Sequence, residues 1–296
     1  MHIGEPVQLR KARDFGQIFS DTFAFLRQEW RPLLRAIALV GLPAGLIGGF
    51  LSGDALAGVQ QFQIRADGDP EGALALLGSS MLGLVPGMLL LLVAWSLVVA
   101  MVHEYLRAYH LGEHHLLQSG DIIKRGFAQI GPYFGASFLS GLLVLLGLLL
   151  CVLPAIYPAT VLSLALAAHA IERTGGAGAL GRSNSLVSGD FWPTLGLSIV
   201  MLIVKGIIDQ VIVLPFTIAG LVIGVNAGLE SAMEGGPLEL PTWISVFNAI
   251  STAVQWCAQM LTYPLVAVAY MMKYFSRVEE TEGIGLKEKI AGFDQA

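Results

Sequence analysis

The chain has 296 residues, of which 55% are hydrophobic and only 13% charged, and it carries a formal net charge of −5. Water-soluble domains hold about 25% charged residues, so this composition excludes an ordinary soluble globular domain. A mean hydropathy of +0.69 and 35 glycines fit a chain solvated by lipid, with helices that pack closely.

Residues 1–13 are polar and basic and read as a loose cytoplasmic tail. The first 35 residues include six basic side chains and no uninterrupted apolar core, so no cleavable signal peptide is expected, and the first span serves as its own insertion signal. Over 14–31 a helical period places Phe15, Ile18, Phe19, Phe23, Leu26 and Trp30 on one face, with Arg27 and Arg31 elsewhere, which suits an amphipathic helix at the membrane interface. Pro32 is expected to start a first span over 33–52, since a first helical turn tolerates proline. A polar, acidic loop follows over 53–73, then a second span within 74–102 and an amphipathic, polar stretch over 103–131.

Pro132 is expected to open a third span that ends near Val152. Leu153–Pro158 then turns the chain tightly into a fourth span ending at Ile171. The stretch 172–193 reads as a Gly/Ala-rich cytoplasmic loop. A fifth span begins at Trp192-Pro193 and ends near Leu214, with 216–225 as a broken extension or partial re-entry. Residues 226–242 form an acidic outer loop, a sixth span lies within 243–272, and a charged tail follows from 274 to Ala296. Aromatic–proline signatures before each odd-numbered span (Trp30-Arg-Pro32, Pro132-Tyr-Phe134, Phe191-Trp-Pro193) suggest one device used three times: an interfacial helix, a turn, an aromatic anchor and a proline-started span.

The basic residues orient this scheme. Of the 17 Lys and Arg, Arg65 alone falls in an outer loop and Lys205 falls inside a span. The others lie before or at the entry of span one, in the loops between spans two and three and spans four and five, or after span six. Such a bias places both termini in the cytoplasm and supports an even number of spans.

Few polar groups interrupt the apolar runs. Lys205 and Asp209 stand i, i+4 on one helix and form a candidate intramembrane pair, readable either as a transport path or as an ion pair that fixes packing. His110 and His114, also i, i+4 within a His-rich segment, are weak candidates for a metal, because Gly112 interrupts the helix and no second ligand cluster exists. Glu172, Arg182 and Ser183 are expected at the cytoplasmic face, as an ion pair pinning a loop or as contacts to a lipid phosphate. The Gly175–Gly181 run lacks the strand and the Gly-Lys-Ser/Thr of a nucleotide loop. No catalytic triad or zinc-protease pattern is present, and nothing supports nucleic-acid binding. Cys151 and Cys257 both lie in apolar runs and read as small buried side chains rather than a disulfide.

Pro154-x-x-Tyr-Pro158, an apolar run ending at Glu172, a Gly/Ala-rich link, Gly181-Arg182-Ser183, Leu186, Gly189 and Phe191-Trp192 together resemble the membrane domain attached to some bacterial glycerophosphoryl diester phosphodiesterases and related polytopic proteins. The resemblance implies a helical integral membrane domain. It does not imply the phosphodiesterase activity, because the chain has no room for the catalytic barrel.

The sequence thus predicts an all-α polytopic protein of about six transmembrane helices, with amphipathic interfacial helices on the cytoplasmic side. It divides into a tail and interfacial helix (1–31), a membrane domain (32–273) and a C-terminal tail (274–296). The expected setting is the bacterial inner membrane. The expected function is a non-enzymatic subunit, scaffold or lipid-associated factor, partnered by the bilayer and by other membrane proteins, without a cofactor. A small transporter using Lys205 and Asp209 is the alternative, and an enzyme acting on lipid head groups a weaker one.

Overall fold

The computed structural model describes residues 7–65, 70–234 and 243–283. Among the described residues the regular structure is entirely helical: α1 (Phe15–Arg65), α2 (Pro70–His110), a 3-10 turn (His114–Leu116), α3 (Ser119–Leu150), α4 (Val152–Val161), α5 (Ala165–Glu172), α6 (Gly175–Val187), α7 (Phe191–Glu234) and α8 (Trp243–Glu282). Five stretches are long and apolar enough to cross a membrane: Phe15–Gly53, Pro70–His110, Ser119–Leu150, Val152–Glu172 and Phe191–Asn226. α8, expected as the sixth span, is less apolar because Gln255, Gln259, Tyr263 and several hydroxyl residues interrupt its run.

The expected breaks at prolines are mostly absent. α1 passes through Pro32 and α3 through Pro132, so neither has a separate interfacial helix followed by a turn. Only Pro193 keeps the expected position, in the first turn of α7. α7 also continues through Pro215 to Glu234, so 216–225 is neither a broken extension nor a re-entrant segment. At 51 residues, α1 is about 75 Å long by helical rise, far more than the roughly 30 Å of a hydrocarbon core. Residues 54–65 and 226–234, expected as loops, are helical as well; 66–69 and 235–242 lie outside the described residues.

The contacts divide the chain into two units: 1–36 with 96–205 and 263–296, and 37–95 with 206–262. In the first, α2 from Ser96 to Leu106 is buried on all sides, and so is α8 over Pro264–Ala269 and Met271–Ser276. A helix with no exposed face is a central one, so both act as the pillars of this unit. α1 contributes Ile18, Thr22, Phe25, Leu33 and Ala36 to the core. The aromatic face expected at the membrane interface shares Ile18 with this core face, while its Phe15 and Trp30 are 44% and 48% exposed. The N-terminal segment is not loose over 7–13. Arg13 is buried, its backbone amide donates to the Ser276 hydroxyl (2.9 Å) and its guanidinium binds the Leu9 carbonyl (2.7 Å) and Asp21 (2.8 Å).

The chain turns at Cys151, two residues before the expected start of the turn at Leu153, and Val152–Val161 is helix rather than turn. The Gly/Ala-rich stretch expected as a loop is helix α6. Glycine is a poor helix former, but packing here offsets the propensity. Ala179 and Leu180 bury against Ala165, Leu139 and Leu162. A Cβ on Gly176 would lie 3.3 Å from the Ala136 amide nitrogen, so the missing side chain permits the close approach of α6 to α3.

The second unit is built on small residues. Gly41, Gly45, Gly49 and Gly53 recur every fourth residue of α1 and meet Met260, Cys257, Ala253 and Ala249 of α8. A Cβ on Gly49 would fall 2.5 Å from the Ala253 Cα. This is the small-xxx-small packing by which membrane helices gain van der Waals contact where no hydrophobic drive exists between them. Gly48 and Gly87 serve the α1–α2 crossing in the same way, against Leu91 and Ser52. α7 approaches α8 through Phe216 and Phe247, with ring centroids 6.3 Å apart, and through Gly220.

Candidate functional site

A carboxylate inside a helix with no exposed face needs partners, because an unpaired buried charge is costly. Glu104 of α2 is 3% exposed and accepts from two side chains. The Arg173 guanidinium donates to both of its oxygens, at 2.7 and 2.6 Å, and the Tyr133 hydroxyl donates at 2.9 Å. Arg173 also donates to the Gln129 side-chain oxygen at 3.0 Å. Thus α2, α3 and the end of α5 meet at one carboxylate.

Arg173 reaches it from an unusual backbone position. It caps α5 in the left-handed region (φ 55°, ψ 32°), its amide donating to the His169 carbonyl at 3.0 Å. A non-glycine residue there carries a strain of about 1 kcal/mol or more, which the bidentate bond to Glu104 offsets. Burial opposes the guanidinium charge, yet Glu104 more than compensates and raises the pKa of Arg173 above the ordinary arginine value.

Two imidazoles flank this pair. The Nδ1 of His103 lies 2.9 Å from the Val99 carbonyl, which can only accept, so Nδ1 carries the proton. The His103 ring lies 5.5 Å from Tyr133 and 6.1 Å from Tyr263. His169 is 3% exposed and stands edge-on to Tyr133 at 4.8 Å, and neither ring nitrogen has a hydrogen-bond partner among the described residues. Sequence reasoning puts His103 and Glu104 in an amphipathic, polar stretch, reads Tyr133 as part of an aromatic anchor at a span entry, and passes over His169. The signal that points to the site is the chemistry of a carboxylate within the apolar run Leu97–Leu106.

The expected Glu172–Arg182 pair is present. Arg182 Nε donates to Glu172 at 2.6 Å, and the other side of the guanidinium binds Glu282 at 2.5 Å. The Tyr274 hydroxyl donates to the same Glu172 oxygen at 2.6 Å. Burial and the neighbouring Glu172 raise the Tyr274 pKa well above that of a free phenol. The two acids hold the guanidinium of Arg182 above its ordinary pKa, despite the opposing effect of burial. Residues 274–282, expected as a tail, are therefore the end of α8 and are fastened to α5 and α6.

Ser183 has a different role from the one expected. It is fully buried, and its hydroxyl accepts from the Leu164 amide (3.1 Å) and donates to the Val161 carbonyl (2.6 Å). These backbone groups lie at the break between α4 and α5, so Ser183 of α6 satisfies groups that the interrupted helix leaves open. A further network secures the start of α7: Asp190 binds Lys273 at 2.5 Å and accepts from Thr194 at 2.9 Å, while Arg277 donates to the Leu186 carbonyl at 3.1 Å.

Asp209 is half-buried and accepts a 2.6 Å bond from Thr262, whose hydroxyl also lies 3.0 Å from the Ala258 carbonyl. Lys205 is half-buried one turn earlier on α7. His110 ends α2 with its ring 4.5 Å from Phe275, whereas His114 sits in the 3-10 turn against Tyr109 (4.3 Å) and His115 (3.8 Å). The two histidines face different neighbours. Among the described residues no three His, Cys, Asp or Glu side chains gather where they could hold a metal ion. Cys151 is exposed and Cys257 buried, both as free thiols.

A comparison with known protein families, curated proteins and solved structures finds no match for this chain.

Proposed function

We propose that the chain is a six-span protein of the bacterial inner membrane with both termini in the cytoplasm, acting by binding, as a lipid-associated scaffold or subunit of a membrane assembly. The observation that carries this reading is how its buried charges are used. Among the described residues the buried charged side chains are Arg13, Glu104 and Lys273, and each is bonded to an opposite charge. Each of these pairs fastens one segment to another, which is the chemistry of a fixed bundle. Outward, α3 and α7 present leucine, isoleucine and valine, as at Leu149, Leu150, Val211 and Leu221, all more than 60% exposed. Such surfaces suit lipid or partner helices.

α8 completes the count as the sixth span. Gln259 and Tyr263 are partly buried against neighbouring helices, where polar side chains are tolerable, and the positive-inside bias then holds for every loop. The resemblance to the phosphodiesterase-associated membrane domain adds to this architecture. It rests on residues such as Glu172, Arg182 and Ser183 that hold helices together. The bond from Thr262 to Asp209 favours a packing role for that carboxylate over a transport path.

Topology is tested by labelling single cysteines in intact cells, in a background of Cys151→Ser and Cys257→Ala. Asp67→Cys is expected to react with a membrane-impermeant maleimide from outside, and Gly120→Cys only after permeabilisation. The reverse pattern, or reaction at both, sinks the six-span orientation. A growth or flux phenotype in Lys205→Met/Asp209→Leu, with the folded protein still at normal abundance, would move the reading to a transporter.

A further inference from the structure

We infer that the α1 face bearing Arg27, Arg31 and Arg35 binds the phosphate groups of anionic phospholipids in the cytoplasmic leaflet. The three residues are spaced i, i+4, i+8, so they form one row with about 6 Å of helical rise between neighbours. All three are exposed. Among the described residues none of them has an acidic partner, whereas Arg13, Arg173, Arg182 and Arg277 each pair with a carboxylate. Three like charges in an i, i+4 series repel one another, and an anion bound along the row removes that cost. The guanidinium fork is suited to phosphate, two parallel N–H groups meeting two oxygens.

The neighbourhood selects a lipid over a soluble anion. Trp30 is 48% exposed beside the row, and the Arg31 guanidinium lies over its ring, 5.6 Å from the centroid. An exposed tryptophan stacked with a cation belongs at headgroup depth, where one side of the ring is wet and the other apolar. Earlier members of the same four-residue series are Phe19 and Phe23, with ring centroids 5.0 Å apart. The residue that follows in the series is Leu39, 62% exposed. The row is thus bordered by groups that favour lipid contact. The choice of leaflet rests on the orientation proposed above, in which this segment is cytoplasmic and meets the anionic surface of the inner leaflet.

The test is native mass spectrometry of the detergent-purified full chain, titrated with phosphatidylglycerol, with phosphatidylcholine as the neutral comparison and inorganic phosphate as a free-anion competitor. Phosphatidylglycerol is expected to bind at least about tenfold more tightly than phosphatidylcholine, and the Arg27→Gln/Arg31→Gln/Arg35→Gln variant to lose roughly a hundredfold of that affinity. The corresponding triple Lys variant, which keeps the charge but loses the fork, is expected to bind with an affinity between those of the wild type and the Gln variant, and millimolar phosphate to displace none. Wild-type affinity in the Gln variant, equal binding of the two lipids, or displacement by phosphate would each overturn the inference. Should the triple variant fail to elute as the wild type does, Arg31→Gln and Arg35→Gln singly are each expected to lose roughly fivefold, and no loss in either overturns it. Lipid retention is read on the purified protein and topology by labelling in cells, so failure of one leaves the other measurable.

Discussion

Arg173 leaves the end of α5 in a left-handed backbone conformation and closes on both carboxylate oxygens of Glu104, a residue 69 positions earlier in the chain. The pair joins a central helix to the end of a short, mostly buried one. Removing one partner leaves the other charge unpaired in a largely apolar surround. Arg173→Met alone is therefore expected to destabilise the protein by about 3 kcal/mol. The double variant Arg173→Met/Glu104→Leu is expected to recover much of that loss. Thermal unfolding of the four members of this cycle in one detergent measures the coupling; strictly additive losses would show that the pair contributes no interaction of its own.

The glycine row of α1 gives a sharper steric prediction. A Cβ on Gly49 meets the backbone of Ala253, at 2.5 Å from its Cα and 3.0 Å from its nitrogen. Backbone cannot swing aside as a flexible side chain can, so Gly49→Ala is expected to cost about 1–3 kcal/mol. Gly206→Ala, with nothing within 4 Å of the new Cβ, is the control and is expected to be neutral or slightly stabilising. The melting temperatures of the two variants decide between crowding and a general effect of replacing glycine.

Ser183 supplies one donor and one acceptor to the break between α4 and α5. Ser183→Ala leaves the Leu164 amide and the Val161 carbonyl without that partner and is expected to cost about 1–3 kcal/mol. Hydrogen exchange should report the loss locally, with the Leu164 amide deprotected before the rest of α5. Unchanged protection there would show that other groups satisfy the break.

His114 provides the pH dependence. Burial lowers its pKa below the ordinary 6.5, and the attraction of Glu29, 3.9 Å away, only partly restores it. The folded state thus prefers the neutral ring, while the unfolded chain takes up a proton near 6.5. Stability is full above that value and is lost as pH falls from 6.5 toward the lowered folded value. His114→Gln is expected to flatten this slope. A pH series of unfolding midpoints for wild type and variant checks it, and identical slopes would remove His114 as the cause.

Several features of the fold and of the polar networks are legible in the residues themselves. The apolar runs mark the helices, and Glu172 and Arg182 do form the pair that their place beside apolar spans suggests. Proline and glycine mislead the segmentation. Pro32, Pro132 and Pro215 lie within continuous helices, and Gly175–Val187 is helical despite its glycines. Both residue types are judged in a sequence by local propensity, which packing overrides when neighbouring helices satisfy the freed groups or take advantage of the missing Cβ. The four-residue glycine row from Gly41 to Gly53 is visible as a spacing, but the identity of the helix it meets is not.

The sequence by itself determined the helical class, the lipid-compatible surface and the bias of basic residues, because hydropathy and charge act through local composition and need no knowledge of neighbours. Only the tertiary structure decided which helices are central and which polar groups meet. α8 is not among the helices apolar enough by composition to cross a membrane, yet it is buried on all sides over 264–269 and 271–276, and Glu104, Tyr133 and the His169–Arg173 segment come from three separate stretches of chain. The physical reason is the range of the forces. Solvation acts on each residue alone, whereas hydrogen bonds and ion pairs act over about 3 Å and depend on which helix faces are brought together.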